Sequence, residues 1–226
     1  MKKKIAVIGL GEFGFALMRC LNEDGHEVMA IDKNIEVIED AADHCTTAVC
    51  LDSTDEKALR SQGLDDMDSV ILASAEELET IIVTTDILKQ IGVKDIIVRY
   101  RTNLHIRILE MMGIKRLFNP EDKAARSMAE EFSHKGMRMS TIITDEYRIA
   151  EVVLPKIFHG KTLGESKLKE NYNLNIVTIL RKGSSDSSKK EKIIGIPRAG
   201  TVFSENDTLV IFGTHNDIDR FLEIME

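Results

Sequence analysis

Ile5-Ala6-Val7-Ile8-Gly9-Leu10-Gly11-Glu12-Phe13-Gly14 is the stretch that decides how the chain folds. Four apolar residues run straight into three glycines at G-x-G-x-x-G spacing, which reads as a buried strand, a tight turn and the start of a helix. Each glycine has its own reason to be there. Gly9 permits the turn, Gly11 carries no side chain to obstruct a pyrophosphate, and Gly14 lets the helix pack closely on the strand. Phosphates would meet backbone N–H groups at the positive end of that helix. A second apolar run, Val28-Met29-Ala30-Ile31, ends in Asp32, about 20 residues past the glycines, where an acid meets ribose hydroxyls. The pattern points to nucleotide binding; the alternative is a domain of this shape that has kept the turn and lost the ligand.

Outward from the turn, the same grammar repeats. The helix ends at Asn22-Glu23-Asp24-Gly25, and Asn34 caps another that runs to about residue 44. Ala48-Val49-Cys50-Leu51 is a third strand, ending at Asp52. Helices are expected over 55–62, 77–90 and 103–112, and strands over 69–73, 96–98 and 115–118. Six apolar strands alternating with helices make an α/β domain, a Rossmann-like doubly wound parallel sheet over residues 1–120. Asn119-Pro120-Glu121-Asp122 starts a further helix, expected over 122–134, with Ala124, Ala125, Met128, Ala129 and Phe132 on one apolar stripe. A helix that follows a completed sheet reads as an exported arm, so residues 121–138 form a crossover helix and linker.

Residues 139–226 read as a small α+β C-terminal domain. Strands are expected over 147–154, 176–180, 193–196 and 208–212, helices over 163–170 and 216–225, and a flexible Gly/Ser loop over 183–188.

Composition narrows the function classes. The net charge is −8, and the basic residues are dispersed apart from Met1-Lys2-Lys3-Lys4 and Lys189-Lys190-Glu191-Lys192, so no basic face announces nucleic acid. No apolar run is long enough to span a bilayer and the start lacks a signal-peptide core, so a soluble, cytoplasmic protein is expected. Cys20, Cys45 and Cys50 lack C-x-x-C spacing and read as reduced core residues.

The strand ends supply the candidate site, because open α/β sheets bind ligands there. Asp32 would take the ribose hydroxyls; its carboxylate disfavours a 2′-phosphate, and Lys33 alone does not reverse that. Asp52 and Ser53 would face an adenine, Ala73 and Ser74 lie beside the turn, and Arg99 would reach phosphates. For those three places the plainer alternative is a loop residue capping the next helix. An NAD-dependent oxidoreductase is the competing class, and it needs a proton donor beside the nicotinamide. None of the six histidines has an acid partner legible in the sequence, and His105, the least improbable donor, reads as a surface residue.

The order of motifs resembles the RCK family: the glycine stretch, Ile31-Asp32, Leu51-Asp52-Ser53-Thr54, Asn119-Pro120-Glu121, Gly160-Lys161-Thr162-Leu163 and Asp207-Thr208-Leu209-Val210-Ile211-Phe212-Gly213. Members pair a nucleotide-binding domain with a small C-terminal domain, as in regulatory subunits of Ktr and Trk potassium transporters. The resemblance implies dimers through the helix near 122–134, an octameric ring, and docking on a membrane potassium-translocating subunit, hence a place at the inner membrane through that partner. It implies an adenine nucleotide, NAD/NADH, ADP/AMP or ATP, at the turn formed by Gly9, Gly11, Glu12, Phe13 and Gly14. It further implies phosphate contact by Arg99, and Glu121 near the nucleotide and dimer seam, with a divalent cation. Cyclic di-AMP would bind between C-terminal domains near Lys169, Asn175 and Pro197. One residue departs from the pattern: Ktr regulators that prefer ATP commonly carry arginine where this chain has Glu12. A carboxylate there repels a triphosphate by about 1 kcal/mol at solvent-like screening, which shifts the expectation toward NAD(H), ADP, AMP or a metal-bridged nucleotide. Glu12 alternatively serves only the helix dipole. A free-standing nucleotide sensor is the third functional reading.

Overall fold

The computed structural model describes residues 2–74, 77–133, 135–182 and 191–225. The 183–188 loop, Lys189, Lys190, Met1 and His134 lie outside them. The chain divides into two compact units, residues 1–120 and 121–226.

In the first unit the elements follow as β1 (Lys4–Ile8), α1 (Glu12–Glu23), β2 (Glu27–Asp32), α2 (Ile35–Ala41), β3 (Thr47–Cys50), α3 (Glu56–Arg60), β4 (Ser69–Leu72), α4 (Leu78–Ile91), β5 (Ile96–Arg99), α5 (Asn103–Met111) and β6 (Arg116–Phe118). The strands form one parallel sheet in the order β3-β2-β1-β4-β5-β6. β1 is central, and its apolar run is continuous because both faces are covered. Val7 packs with Met18, Val28, Ile38 and Ala73 on one side, while Ala6 and Ile8 pack with Leu72, Ile81, Leu88 and Leu109 on the other. Each large apolar side chain so buried contributes about 1.5–3 kcal/mol. Local chemistry fixes the helix starts. Asn34 Oδ1 accepts the Glu36 N–H, Asp55 accepts the N–H groups of Lys57 and Ala58, and the Thr102 hydroxyl oxygen accepts the His105 N–H.

The second part begins with α6 (Pro120–Ser133), followed by β7 (Met137–Ile142), β8 (Tyr147–Val153), α7 (Leu163–Ser166), α8 (Leu168–Tyr172), β9 (Asn175–Arg181), β10 (Lys192–Ile193), β11 (Asp207–Thr214) and α9 (His215–Leu222). Its antiparallel sheet runs β10-β9-β11-β8-β7. Ala150, Val152, Leu209 and Ile211 form its buried face together with Ile218 and Phe221 of α9. Buried Arg148 pairs with Asp219, joining β8 to α9, and Arg181 forks onto the fully buried Asp207 with two 2.7 Å hydrogen bonds. That hydrogen bonding raises the Arg181 pKa.

Several details differ from the sequence reading. β7 is an unanticipated strand: it carries Arg138, Ser140 and Thr141 and is paired to β8 with a register shift between Met137 and Met139, so it lacks clean alternation. The helix expected over 163–170 breaks at Lys167, whose φ of 47° is left-handed, into α7 and α8. β10 is only two residues long, and α6 starts at Pro120 rather than 122. Of the three cysteines expected in the core, only Cys45 packs against it. Cys20 and Cys50 are exposed and Cys45 half-buried, since Cys20 lies on the outer face of α1 and Cys50 on the edge strand β3. Partial burial pushes the Cys45 thiol pKa up.

Among the described residues, no helix is long and apolar enough to cross a membrane.

Candidate functional site

The three glycines have different obligations. Gly9 sits at φ +88°, and a Cβ there would come within 2.7 Å of Ser74 Cβ and 2.8 Å of Ser74 N. A Cβ on Gly14 would lie 1.9 Å from the Gly9 carbonyl oxygen. The fold itself therefore demands both. Gly11 is different: its φ is −62°, and an added Cβ would meet nothing within 4 Å. No side chain caps α1 at Gly11, and the Phe15 N–H is the donor that bonds the Gly11 carbonyl. The backbone at the start of α1 is left bare on the side where G-x-G-x-x-G turns meet phosphate.

Asp32 is held against this turn. Its Oδ2 accepts the Leu10 N–H at 2.6 Å and its Oδ1 the Asn34 N–H at 2.9 Å. A carboxylate oxygen has a second lone pair, so each retains capacity for a ribose hydroxyl. Lys33 beside it is exposed, and its carbonyl accepts from the Cys50 thiol.

On the other side of β1, the crossover to β4 brings Ala73 and Ser74 against the turn, as the Gly9 and Gly14 approaches show. Arg99 is the last residue of β5 rather than a residue beyond it. Its Nη1 donates to the Ala73 carbonyl at 3.1 Å, and its guanidinium carbon lies 5.5 Å from the centre of the Phe13 ring. The same ring also contacts Phe118, at 5.3 Å between centroids. Phe118 is a site neighbour that the sequence reading missed, because nothing in a three-residue strand says which helix start it meets.

Asp52 and Ser53 have partners of their own. The Asp52 carboxylate accepts from Thr54 N at 2.9 Å and Thr54 Oγ1 at 2.7 Å, which holds its pKa below the ordinary value. The Ser53 hydroxyl hydrogen-bonds Thr84 of α4 at 2.9 Å. Both side chains thus serve the loop into α3 and its contact with α4. Glu12, the first residue of α1, is exposed and lines a groove of about 330 Å³ with Leu10, Gly11, Phe15, Arg19 and Asp40. A larger cavity of about 630 Å³ is lined by Ile82, Val83, Ile87, Ile108, Met111 and others, none of them from the turn or Asp32. The smaller groove borders the start of α1.

Glu121 lies in the first turn of α6, in the second unit. Among the described residues no group of three or more His, Cys, Asp or Glu side chains is placed to hold a metal ion. His105, expected at the surface, is 9% exposed, and its Nδ1 accepts the Arg101 N–H at 3.4 Å. Its apolar-faced helix α5 turns it inward. Lys169 lies in α8, Asn175 opens β9, and Pro197 follows β10 in a loop.

Comparison with known proteins gives consistent findings. Residues 5–120 match the TrkA-N domain and residues 148–226 the TrkA-C domain. Ktr system potassium uptake protein C of Bacillus subtilis is 35% identical over 221 residues, covering 98% of this chain and 96% of that protein. Ktr system potassium uptake protein A of the same organism is 31% identical over 219 residues, covering 97% and 95%. Among solved structures, the GsuK RCK domain superposes over 100% of this chain with a TM-score of 0.66 at 18% identity. The GsuK channel bound to NAD does so with a TM-score of 0.63 at 19% identity. This chain spans 48% and 39% of those two GsuK chains, and the likeness to them is one of fold. The chain belongs to the RCK family, as a TrkA-N domain followed by a TrkA-C domain, and is a relative of the Ktr potassium uptake proteins.

Proposed function

We propose that this protein is the nucleotide-binding regulatory subunit of a potassium uptake system, forming a ring whose shape a ligand controls and docking on a membrane potassium-translocating subunit. The observation that carries the nucleotide part is Gly11. Two of the three glycines are explained by the fold alone, whereas the space over Gly11 is empty and its φ is one that any residue adopts. A glycine kept there makes sense for a group that must approach the backbone closely. The ligand would be an adenine nucleotide: Asp32 meets the ribose, the bare start of α1 the phosphates, and Arg99 approaches from β5. Glu12 favours NAD(H), ADP or AMP over ATP on charge. A divalent cation enters this reading only with the phosphates that bring it, because the described residues offer no ready-made metal cage. Cyclic di-AMP near Lys169, Asn175 and Pro197 rests on the family resemblance.

The transport part rests on the Ktr relatives, which match along nearly the whole chain. An NAD-bound GsuK channel of the same fold adds support for the nucleotide. The oxidoreductase alternative loses its basis, since those relatives are potassium uptake proteins and His105 is packed inward. A regulator works only when its ligand binds two states with different affinity. The test is Gly11→Val, measured by nucleotide titration and by potassium flux with the membrane subunit. Folding and assembly should be retained, while nucleotide binding and nucleotide-dependent flux are lost. Retained nucleotide control would refute this placement of the site.

A further inference from the structure

A phosphate that sits at the start of α1 meets, besides backbone N–H groups, whatever cation the neighbouring strands bring there. The sheet order brings Arg99, and a hydrogen bond and an aromatic contact help hold its guanidinium there. The Ala73 carbonyl takes Nη1 at 3.1 Å, and the Phe13 ring lies under the guanidinium at 5.5 Å. Phe13 is the second residue of α1, so its backbone N–H belongs to the same first turn that would face the phosphate. The same ring also contacts Phe118, at 5.3 Å between centroids with planes inclined by 41°. Phe118 is in turn the β6 register partner of Arg99. The cation and the ring that carries it are therefore braced by the same pair of strands. A guanidinium over an aromatic ring is attracted to its face and so held in place.

We propose that Phe13 is a positioning residue, which sets the Arg99 guanidinium for the phosphate of a bound nucleotide and thereby gives the site its preference for phosphorylated ligands over the bare nucleoside. The inference rests on the nucleotide reading above. It assigns to the residue before the third glycine a duty separate from turn geometry. Phe13→Leu keeps apolar volume against Phe118 but removes the ring face, whereas Phe13→Tyr keeps the face. Arg99→Lys keeps the charge but removes the planar group that stacks.

The experiment is calorimetric titration of the full-length wild type and the three variants with adenosine, AMP and ADP. For Phe13→Leu the ratio of AMP to adenosine affinity should fall by about two- to thirty-fold, the range a cation–π contact supplies, with adenosine affinity unchanged. Phe13→Tyr should restore the ratio. Arg99→Lys should lower it as well, and it carries the test where Phe13→Leu fails to fold. Equal losses for adenosine and AMP would mean that Phe13 only shapes the turn, and an unchanged ratio that it does not act through Arg99; either overturns the inference and leaves nucleotide binding standing. A wild type that binds none of the three would overturn the nucleotide reading and this inference with it.

Discussion

The Leu10 N–H donates to Asp32 Oδ2 across 2.6 Å, tying the middle of the glycine turn to the end of β2. Asp32 Oδ1 accepts the Asn34 N–H in the same way, so one carboxylate organises both the turn and the entry to α2. Asp32→Ala should destabilise the fold by about 1–3 kcal/mol, because it strands two amide donors, and should weaken every adenine nucleotide alike. Asp32→Asn retains one acceptor and should lose less stability. Chemical denaturation and titration of the two variants check this, and a stable Asp32→Ala protein would show that water replaces the carboxylate at no cost.

Gly14 and Gly11 should separate stability from binding. Gly14→Ala places a methyl group 1.9 Å from the Gly9 carbonyl, a backbone atom that cannot rotate away. Overpacking costs about 1–3 kcal/mol even where side chains can move, so this variant should fall at or beyond the top of that range. Gly11→Ala meets nothing within 4 Å and should melt like the wild type. Equal melting temperatures for the two variants would contradict the packing described here.

Glu12 should act on the phosphate end in proportion to charge. Glu12→Arg should improve ATP binding relative to AMP by at least the ~1 kcal/mol of repulsion removed. Titrations with and without magnesium measure it. An unchanged ATP to AMP ratio would make Glu12 a helix-start acid only.

The stripe on α6 should be covered in solution. Met128 is 61% and Phe132 83% exposed in the single chain, unusual for large apolar side chains on one helix face. Light scattering should report a particle larger than the 25.4 kDa monomer, and Phe132→Glu should shift it toward that mass. A wild-type monomer at micromolar concentration would refute the assembly.

Acid should weaken the second unit through Asp217. Hydrogen bonds from Thr214 Oγ1 at 2.7 Å and Asn173 Nδ2 at 2.9 Å lower its pKa in the folded state. A folded pKa below the unfolded value of about 3.9 means that the stability is present above that pH and is lost as pH falls through the folded value. Asp217→Asn should therefore flatten the fall in melting temperature below about pH 4. Thermal scans from neutral to strongly acidic buffer check the slope, and identical acid limbs would remove Asp217 from the account.

The first sheet was legible in the sequence because its signals are local. Runs such as Ile5-Ala6-Val7-Ile8 are apolar at every position because a central parallel strand is buried on both faces. Asn34, Asp55 and Thr102 announce their helices by capping them two or three residues on. The glycine spacing likewise carried its own meaning, since the Gly9 turn and the Gly14 approach are made by residues close in the chain. Tertiary structure decided everything that depends on which element becomes whose neighbour. The order β3-β2-β1-β4-β5-β6 set Arg99 against the Ala73 carbonyl and the Phe13 ring, and the fold turned Ser53 to Thr84, contacts that strand-end position alone did not distinguish. It placed Phe118 on Phe13, buried His105, and left Cys50 exposed on an edge strand. β7 stayed hidden for the same reason. A strand with polar residues on both faces is stabilised by its partner β8, and a pattern of side chains along one segment does not name the partner.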